Sequence, residues 1–168
     1  MNERKDDIPE DDIPEDDLER AGAAVDRLLE SARRRIWVHT RCRLLMALPD
    51  TRLAEAMARV ARRTRHSDLR LLVDDDLELK SGLPRLAGTV MRLPSAIATR
   101  CLAPAQDTPA SLLLVIDRDA WLYLVQHKGR AGLRAESRDL AGNRKAAEDF
   151  EQNWAAGSES RELRKLSL

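Results

Sequence analysis

The chain has 168 residues, within the size of one domain, and 43% of them are hydrophobic. Only five are aromatic (three Trp, one Tyr and one Phe), so the core has to be built from Leu, Val, Ile and Ala. Charged residues make up 35%, above the about 25% of an average globular domain, and formal charges cancel to zero. No apolar run nears the roughly 18 residues that span a bilayer, and the acidic start reads as neither a secretory signal nor a transit peptide. The expected location is therefore the cytoplasm, with no membrane partner.

The zero net charge hides an asymmetry. Residues 1–19 hold ten acids and two bases, a net of −8, and the rest is +8. The leader repeats a pentad, Asp6-Asp7-Ile8-Pro9-Glu10 and Asp11-Asp12-Ile13-Pro14-Glu15, whose prolines exclude a helix. Residues 1–17 read as a disordered, solvated acidic tail. The alternative is a segment that folds back over the basic body and competes with an anionic partner. Residues 18–168 form the domain.

Order is expected to begin at Asp16 or Asp17, acids suited to a helix N-terminus. Leu18, Ala21, Val25, Leu28 and Ala32 follow at helical spacing, and Arg33, Arg34 and Arg35 suit the negative end of the helix. The run Ile36 to Thr40 reads as a strand. A second helix, capped by Asp50 or Thr51, carries Leu53, Met57, Val60 and Ala61. Leu69 to Val73 reads as a buried strand emptying into Asp74-Asp75-Asp76. That triplet is either a solvated turn or a site for a hard cation, and the lack of calcium-loop spacing favours the turn.

A third helix is expected from a cap at Ser81, with Leu83, Leu86, Ala87, Val90 and Leu93 on its face and Pro94 stopping it. Ile97 to Leu102 can be a strand, and Leu112 to Asp117 is the strongest strand signal. Arg118-Asp119-Ala120 turns it into a second strand, Trp121 to Gln126. A shorter strand near Leu133 to Ser137 comes next, then a helix from Asp139 with Leu140, Ala147, Phe150 and Trp154 on one stripe. Gly157 ends that helix, and Leu163, Leu166 and Leu168 can dock back on the body. Alternation of helix and strand in the first half predicts parallel strands, and the run of strands after residue 96 predicts an antiparallel portion. The fold class is α/β, a mixed parallel/antiparallel sheet flanked by helices. Cys42 and Cys101, both placed at strands or strand ends, read as reduced buried hydrophobes rather than a metal or redox pair.

That element order, with a buried strand ending in Asp, a hairpin, and a last helix carrying Phe150-x-x-x-Trp154, resembles one half of the phospholipase D-like fold. It also resembles a bacterial domain often found downstream of GNAT-type acetyltransferase domains. The stretches that carry this are Leu69 to Asp74, Met91 to Ser95, Leu112 to Asp117 and Phe150 to Leu168. The superfamily's motif is His-x-Lys-x-x-x-x-Asp: the His is the nucleophile, the Lys neutralises phosphate oxygens, and the Asp supports the His. With the motif's Asp at Asp117, its His and Lys positions are Ala110 and Leu112, which hold neither nucleophile nor charge.

The resemblance therefore implies a catalytically inactive half domain, with no catalytic residue, metal or cofactor, working by binding or assembly. Superfamily members pair two halves, so it implies a homodimer or a partner protein. Asp117 is then a strand-end or turn residue. His127-Lys128 and His39-x-Arg41 lack the rest of the motif spacing, and residual phosphodiesterase activity is the weakest reading. An alternative class is nucleic-acid or other polyanion binding through Arg33, Arg34, Arg35, Arg41, Arg43, Arg62, Arg63 and Arg65, with Arg59 beside them. Scarce aromatics argue against base stacking.

Overall fold

The structure, a computed structural model, describes residues 14–48 and 52–163. The expectations for the acidic pentads before Pro14, for a cap at Asp50 or Thr51, and for Leu166 and Leu168 lie outside those residues. The described chain runs α1 (Glu15–Ser31), β1 (Arg35–Thr40), α2 (Cys42–Ala47), α3 (Leu53–Arg63), β2 (Asp68–Val73), α4 (Asp76–Gly82) and α5 (Pro84–Arg92). It continues through β3 (Ile97–Cys101), β4 (Ser111–Ile116), β5 (Ala120–His127), β6 (Arg130–Glu136), α6 (Leu140–Ala156) and β7 (Ser158–Glu159). All seven strands join one sheet in the order β6-β5-β4-β1-β2-β3-β7. β1, β2 and β3 are parallel; β4, β5 and β6 form an antiparallel meander docked on β1. The expected mixed sheet is present.

Helices α1 to α5 cover one face. Their apolar stripes, among them Val25, Leu28, Met57, Val60, Leu86 and Val90, pack on Ile36, Val38, Leu71, Leu112, Leu114 and Leu122. Both parallel crossovers thus put their helices on the same side. On the other face α6 is the one helix among the described residues, over a smaller cluster of Trp37, Leu72, Leu113, Val115, Phe150 and Trp154. Trp37, Phe150 and Trp154 stack with centroids 5.0 and 5.7 Å apart. Arg35 and Arg70 lie over the Trp37 ring at 4.2 and 4.4 Å, and Arg100 over Trp154 at 4.6 Å. Guanidinium groups seal the aromatic stack where helix cover ends.

Several local expectations change. α1 starts at Glu15, so Asp16 and Asp17 sit in its first turn instead of capping it. It ends at Ser31, before Arg33–Arg35; the residue that serves its C-terminus is Arg59, which donates to the carbonyls of Leu29 and Ala32 at 2.7 and 3.5 Å. Ser81 lies inside α4, and the next helix begins at Pro84, a residue whose missing N–H costs nothing there. Cys42 opens α2 rather than ending a strand, while Cys101 closes β3. β6 is longer than expected, at seven residues. Leu140 points away from the core and is 66% exposed; Asn143, Ala146, Phe150 and Trp154 face inward. Leu163 does pack on the main core.

The two halves of the sheet are joined at the β4–β5 turn. Asp117 there has φ +48°, a left-handed conformation that Asp tolerates better than most residues. Its backbone N–H donates to the Arg35 carbonyl, and its carboxylate accepts from the backbone N–H groups of Arg33, Arg34 and Arg35 at 2.9–3.3 Å. On the other side, buried Asn143 of α6 points its amide at the carbonyls of Ile116, Asp117 and Ala120, 2.8–3.4 Å away.

Two stability predictions follow from this turn. Asn143→Ala leaves buried carbonyls without donors and should cost about 2 kcal/mol, and Asn143→Asp should cost more, because a carboxylate would face carbonyl oxygens. Burial raises the folded pKa of that new carboxyl, so the added penalty applies above it and is relieved as pH falls through it. Urea unfolding of both variants at two pH values checks this: equal losses at neutral pH would refute the role of the amide. Asp117→Ala should cost about 1–2 kcal/mol, and Asp117→Asn, which keeps an acceptor and tolerates positive φ, about half as much.

Candidate functional site

Ala110, Leu112 and Asp117, the positions that the resemblance assigns to the motif, are spread along β4 and its flanks, and they do not converge on a cavity. Leu112 is fully buried among the aliphatic residues under α1–α5, and Ala110 packs against the same cluster. Between them Ser111 points to the opposite, α6 side, as strand alternation requires. Asp117, at the far end of the strand, spends its carboxylate on the three N–H groups of residues 33–35. It acts as the turn residue expected of it. β4 is an inner strand, hydrogen-bonded on both sides by β1 and β5, so its edges are closed to a partner.

One concavity lies on the α6 side. Seven strands are too wide for one helix, and the uncovered sheet beside α6 forms the floor of a cleft of about 600 Å³. Leu113, Trp121, Tyr123 and Arg134 form that floor; Gly142, Lys145, Asp149 and Asn153, at helical spacing on α6, form the wall. Asp139 fixes the near end. It caps α6 by accepting from the Gly142 N–H at 3.0 Å and also accepts from the Trp121 indole N–H at 3.1 Å. These two donors, the Gly142 N–H first, hold its carboxyl below the usual value. Gly142 is required at this spot: a Cβ would lie 2.1 Å from the Asp139 Oδ2. Sequence reasoning placed Asp139 at the helix start but gave no sign of its bond to Trp121.

His39 stands at the other end of the cleft, where β1 meets α2. Together with Thr108, Ser111 and Asn153 it also borders a second hollow of about 430 Å³ at the carboxyl ends of the parallel strands. That is where α/β sheets place ligands. Burial lowers the His39 pKa, with the nearby Asp74 carboxylate pulling the other way, so the imidazole is held toward its neutral form. Asp74 accepts from the Cys42 N–H at 2.8 Å. Burial, reinforced by Asp74, pushes the Cys42 thiol up to about 12, and burial pushes Cys101 up to about 11. Neither sulfur is a thiolate near neutral pH.

The aspartate triplet divides its work. Asp74 holds α2, Asp75 caps α4 by accepting from the N–H groups of Leu77 and Glu78, and Asp76 accepts from the Ser160 hydroxyl and the Glu162 N–H. Among the described residues no three His, Cys, Asp or Glu side chains come together as a metal site. No described helix is long and apolar enough to cross a membrane.

The arginines are separated by the topology. Arg33, Arg34 and Arg35 enter β1, and Arg65 lies in the turn before β2, the parallel neighbour, where Arg34 donates to the His66 carbonyl at 2.9 Å. Arg118 joins Arg33, Arg34 and Arg35 in a shallow hollow that Asp68, Asp117 and Asp119 also line. Arg63 ends α3, and Arg62 lines a groove between α3 and α5 with Arg85 and Arg92. Arg41 and Arg43 belong to the opposite end of β1: Arg41 donates to the Thr108 carbonyl, and Arg43 pairs with Glu78 at 3.4 Å. The eight candidate arginines therefore do not form one patch.

Two solved structures share this arrangement. One is TrmBL2, an archaeal chromatin protein described as showing a novel mode of DNA binding; it aligns with a TM-score of 0.59 and 13% identity over 85% of this chain and 52% of its own. This chain thus spans about half of that protein's length. The other is Nuc from Salmonella typhimurium, a phospholipase D family member, with a TM-score of 0.52 and 13% identity over 83% of this chain and 90% of its own. No curated protein matches the sequence. At this identity the likeness gives the fold, which is phospholipase D-like. Residues 17–166 match the family described as Domain of unknown function (DUF7931), and the chain belongs to that family.

Proposed function

We propose that this chain is a non-catalytic phospholipase D-like domain that works through binding or assembly. The observation that carries this reading is the filling of the motif positions: Ala110 and Leu112 are apolar, and Leu112 is inside the hydrophobic core. Double displacement at phosphorus needs a nucleophile and a cation on the phosphate oxygens. Restoring them here would place a charge under five helices. His39 supplies an imidazole in the cleft, but Arg41 stands at the motif's Lys spacing and Met46 at its Asp spacing. The protein should show no turnover of an activated phosphodiester above a His39→Ala control. Turnover that disappears with His39→Ala would establish a relocated catalytic site and overturn the reading.

A second reading, binding of nucleic acid or another polyanion, is favoured by the cluster of Arg33, Arg34, Arg35 and Arg118 and by the DNA binding described for TrmBL2. Phosphate contacts from such a cluster need no aromatic platform, which suits a chain whose Trp37, Phe150 and Trp154 are buried. Heparin retention and a nucleic-acid mobility shift at low salt should both appear and fall steeply with salt. Deleting residues 1–13 should strengthen them if the acidic leader competes for the same surface. Absence of retention and shift at low salt would remove this second reading.

A further inference from the structure

The two edges of the sheet are unequal. β7 closes one side with only two residues. The other edge, β6, is seven residues long, free of proline and in unbroken register with β5 from Trp121↔Glu136 to His127↔Arg130. A two-residue turn, Lys128-Gly129, with φ +48° and +71°, joins the two strands. The pair closing such a turn exchanges hydrogen bonds, and bonded and non-bonded pairs alternate from there. The N–H and C=O groups of Ala131, Leu133 and Ala135 therefore point outward, where no described strand meets them. An open edge of this kind is a template for another strand.

We propose that β6 is a self-complementary edge that pairs antiparallel with β6 of a second copy of this chain, with Leu133 on the two-fold axis. This deepens the assembly part of the reading above. The sequence Arg130-Ala131-Gly132-Leu133-Arg134-Ala135-Glu136 is matched to itself in that register. Leu133 faces its own copy, Ala131 faces Ala135, and the six outward polar groups of these residues are satisfied reciprocally. These side chains lie on the α1 side, where Ala131 and Leu133 already pack against the core.

On the α6 side Arg130 falls opposite the copy's Glu136, twice by symmetry, and Arg134 falls opposite Gly132, which leaves room for a long side chain. Charge selects this register. Moving the pairing by two residues, the smallest shift that keeps each face, sets Arg130 against Arg134 or Arg134 against itself. Like charges directly opposite are unfavourable, and opposite charges there favour pairing. The resulting two-fold contact is isologous, so it closes a dimer instead of propagating a fibre.

The test is sedimentation of the full chain as wild type, Arg130→Glu, Glu136→Arg, the double exchange, and an equimolar mixture of the two single variants. Wild type should dimerise in the micromolar range, and each single variant should dissociate about tenfold more readily. The double exchange and the mixture should both restore dimers, because each recreates opposite charges at both contacts. Circular dichroism controls for folding, which these exposed edge positions should leave intact. A monomeric wild type, a dimer indifferent to both single changes, or no recovery on mixing would each overturn the proposal. Phosphodiester turnover, in contrast, overturns the non-catalytic reading and leaves this contact standing.

Discussion

One carboxylate joins the two halves of this sheet. A parallel β-α-β unit and an antiparallel meander can each form from local signals, but nothing local sets one beside the other. Asp117 does so by turning through positive φ and accepting the N–H groups of Arg33, Arg34 and Arg35 as the chain enters β1. These donors would otherwise lack partners in a connection between helix and strand. Asn143 then fastens α6 to the carbonyls of the same turn. Three segments far apart in sequence meet over a few residues, and the register of β1 with β4 is set there.

This also separates the role of Asp117 from those of Ala110 and Leu112, the positions that the resemblance assigns to one motif. The Asp position anchors the fold by hydrogen bonds that require no reaction. The two other positions sit on a strand whose alternate residues must fill an aliphatic core, and Ala110 and Leu112 meet that demand. On the second face Leu113 and Val115 of β4 pack into the smaller cluster under α6, while Ser111 and Leu113 border the cleft beside it. Both faces of this strand are therefore packed, and only its Ser111 end meets the cleft.

The sequence made the larger elements legible because each repeats one signal. The stripes of α1, α3 and α5 and the aliphatic runs of β1, β2 and β4 depend on periodicity and burial. α2 and α4 were missed because six or seven residues make fewer than two turns, and their formation rests on Asp74 and Asp75 supplying N-terminal acceptors. β6 was underestimated because Gly132 and its charged residues weaken any strand signal; pairing with β5 supplies what propensity lacks. The arginines show the opposite problem. Arg35 and Arg41 look adjacent in sequence, yet a six-residue strand sets them roughly 20 Å apart. The cleft could not be read at all, since His39, Tyr123 and Lys145 come from three elements united only by the fold.

The same geometry limits what the acidic leader can do. It joins the body at Pro14, and the Arg33–Arg35 connection lies beyond the other end of α1, a 17-residue helix about 25 Å long. At physiological salt, charges are screened over about 8 Å, so the acids that open α1, Glu15, Asp16 and Asp17, cannot neutralise the arginine edge through space. Thirteen residues at full extension reach about 45 Å, enough to lie along the helix and touch that edge. Any competition by the acidic residues before Pro14 for that edge therefore has to be a direct contact.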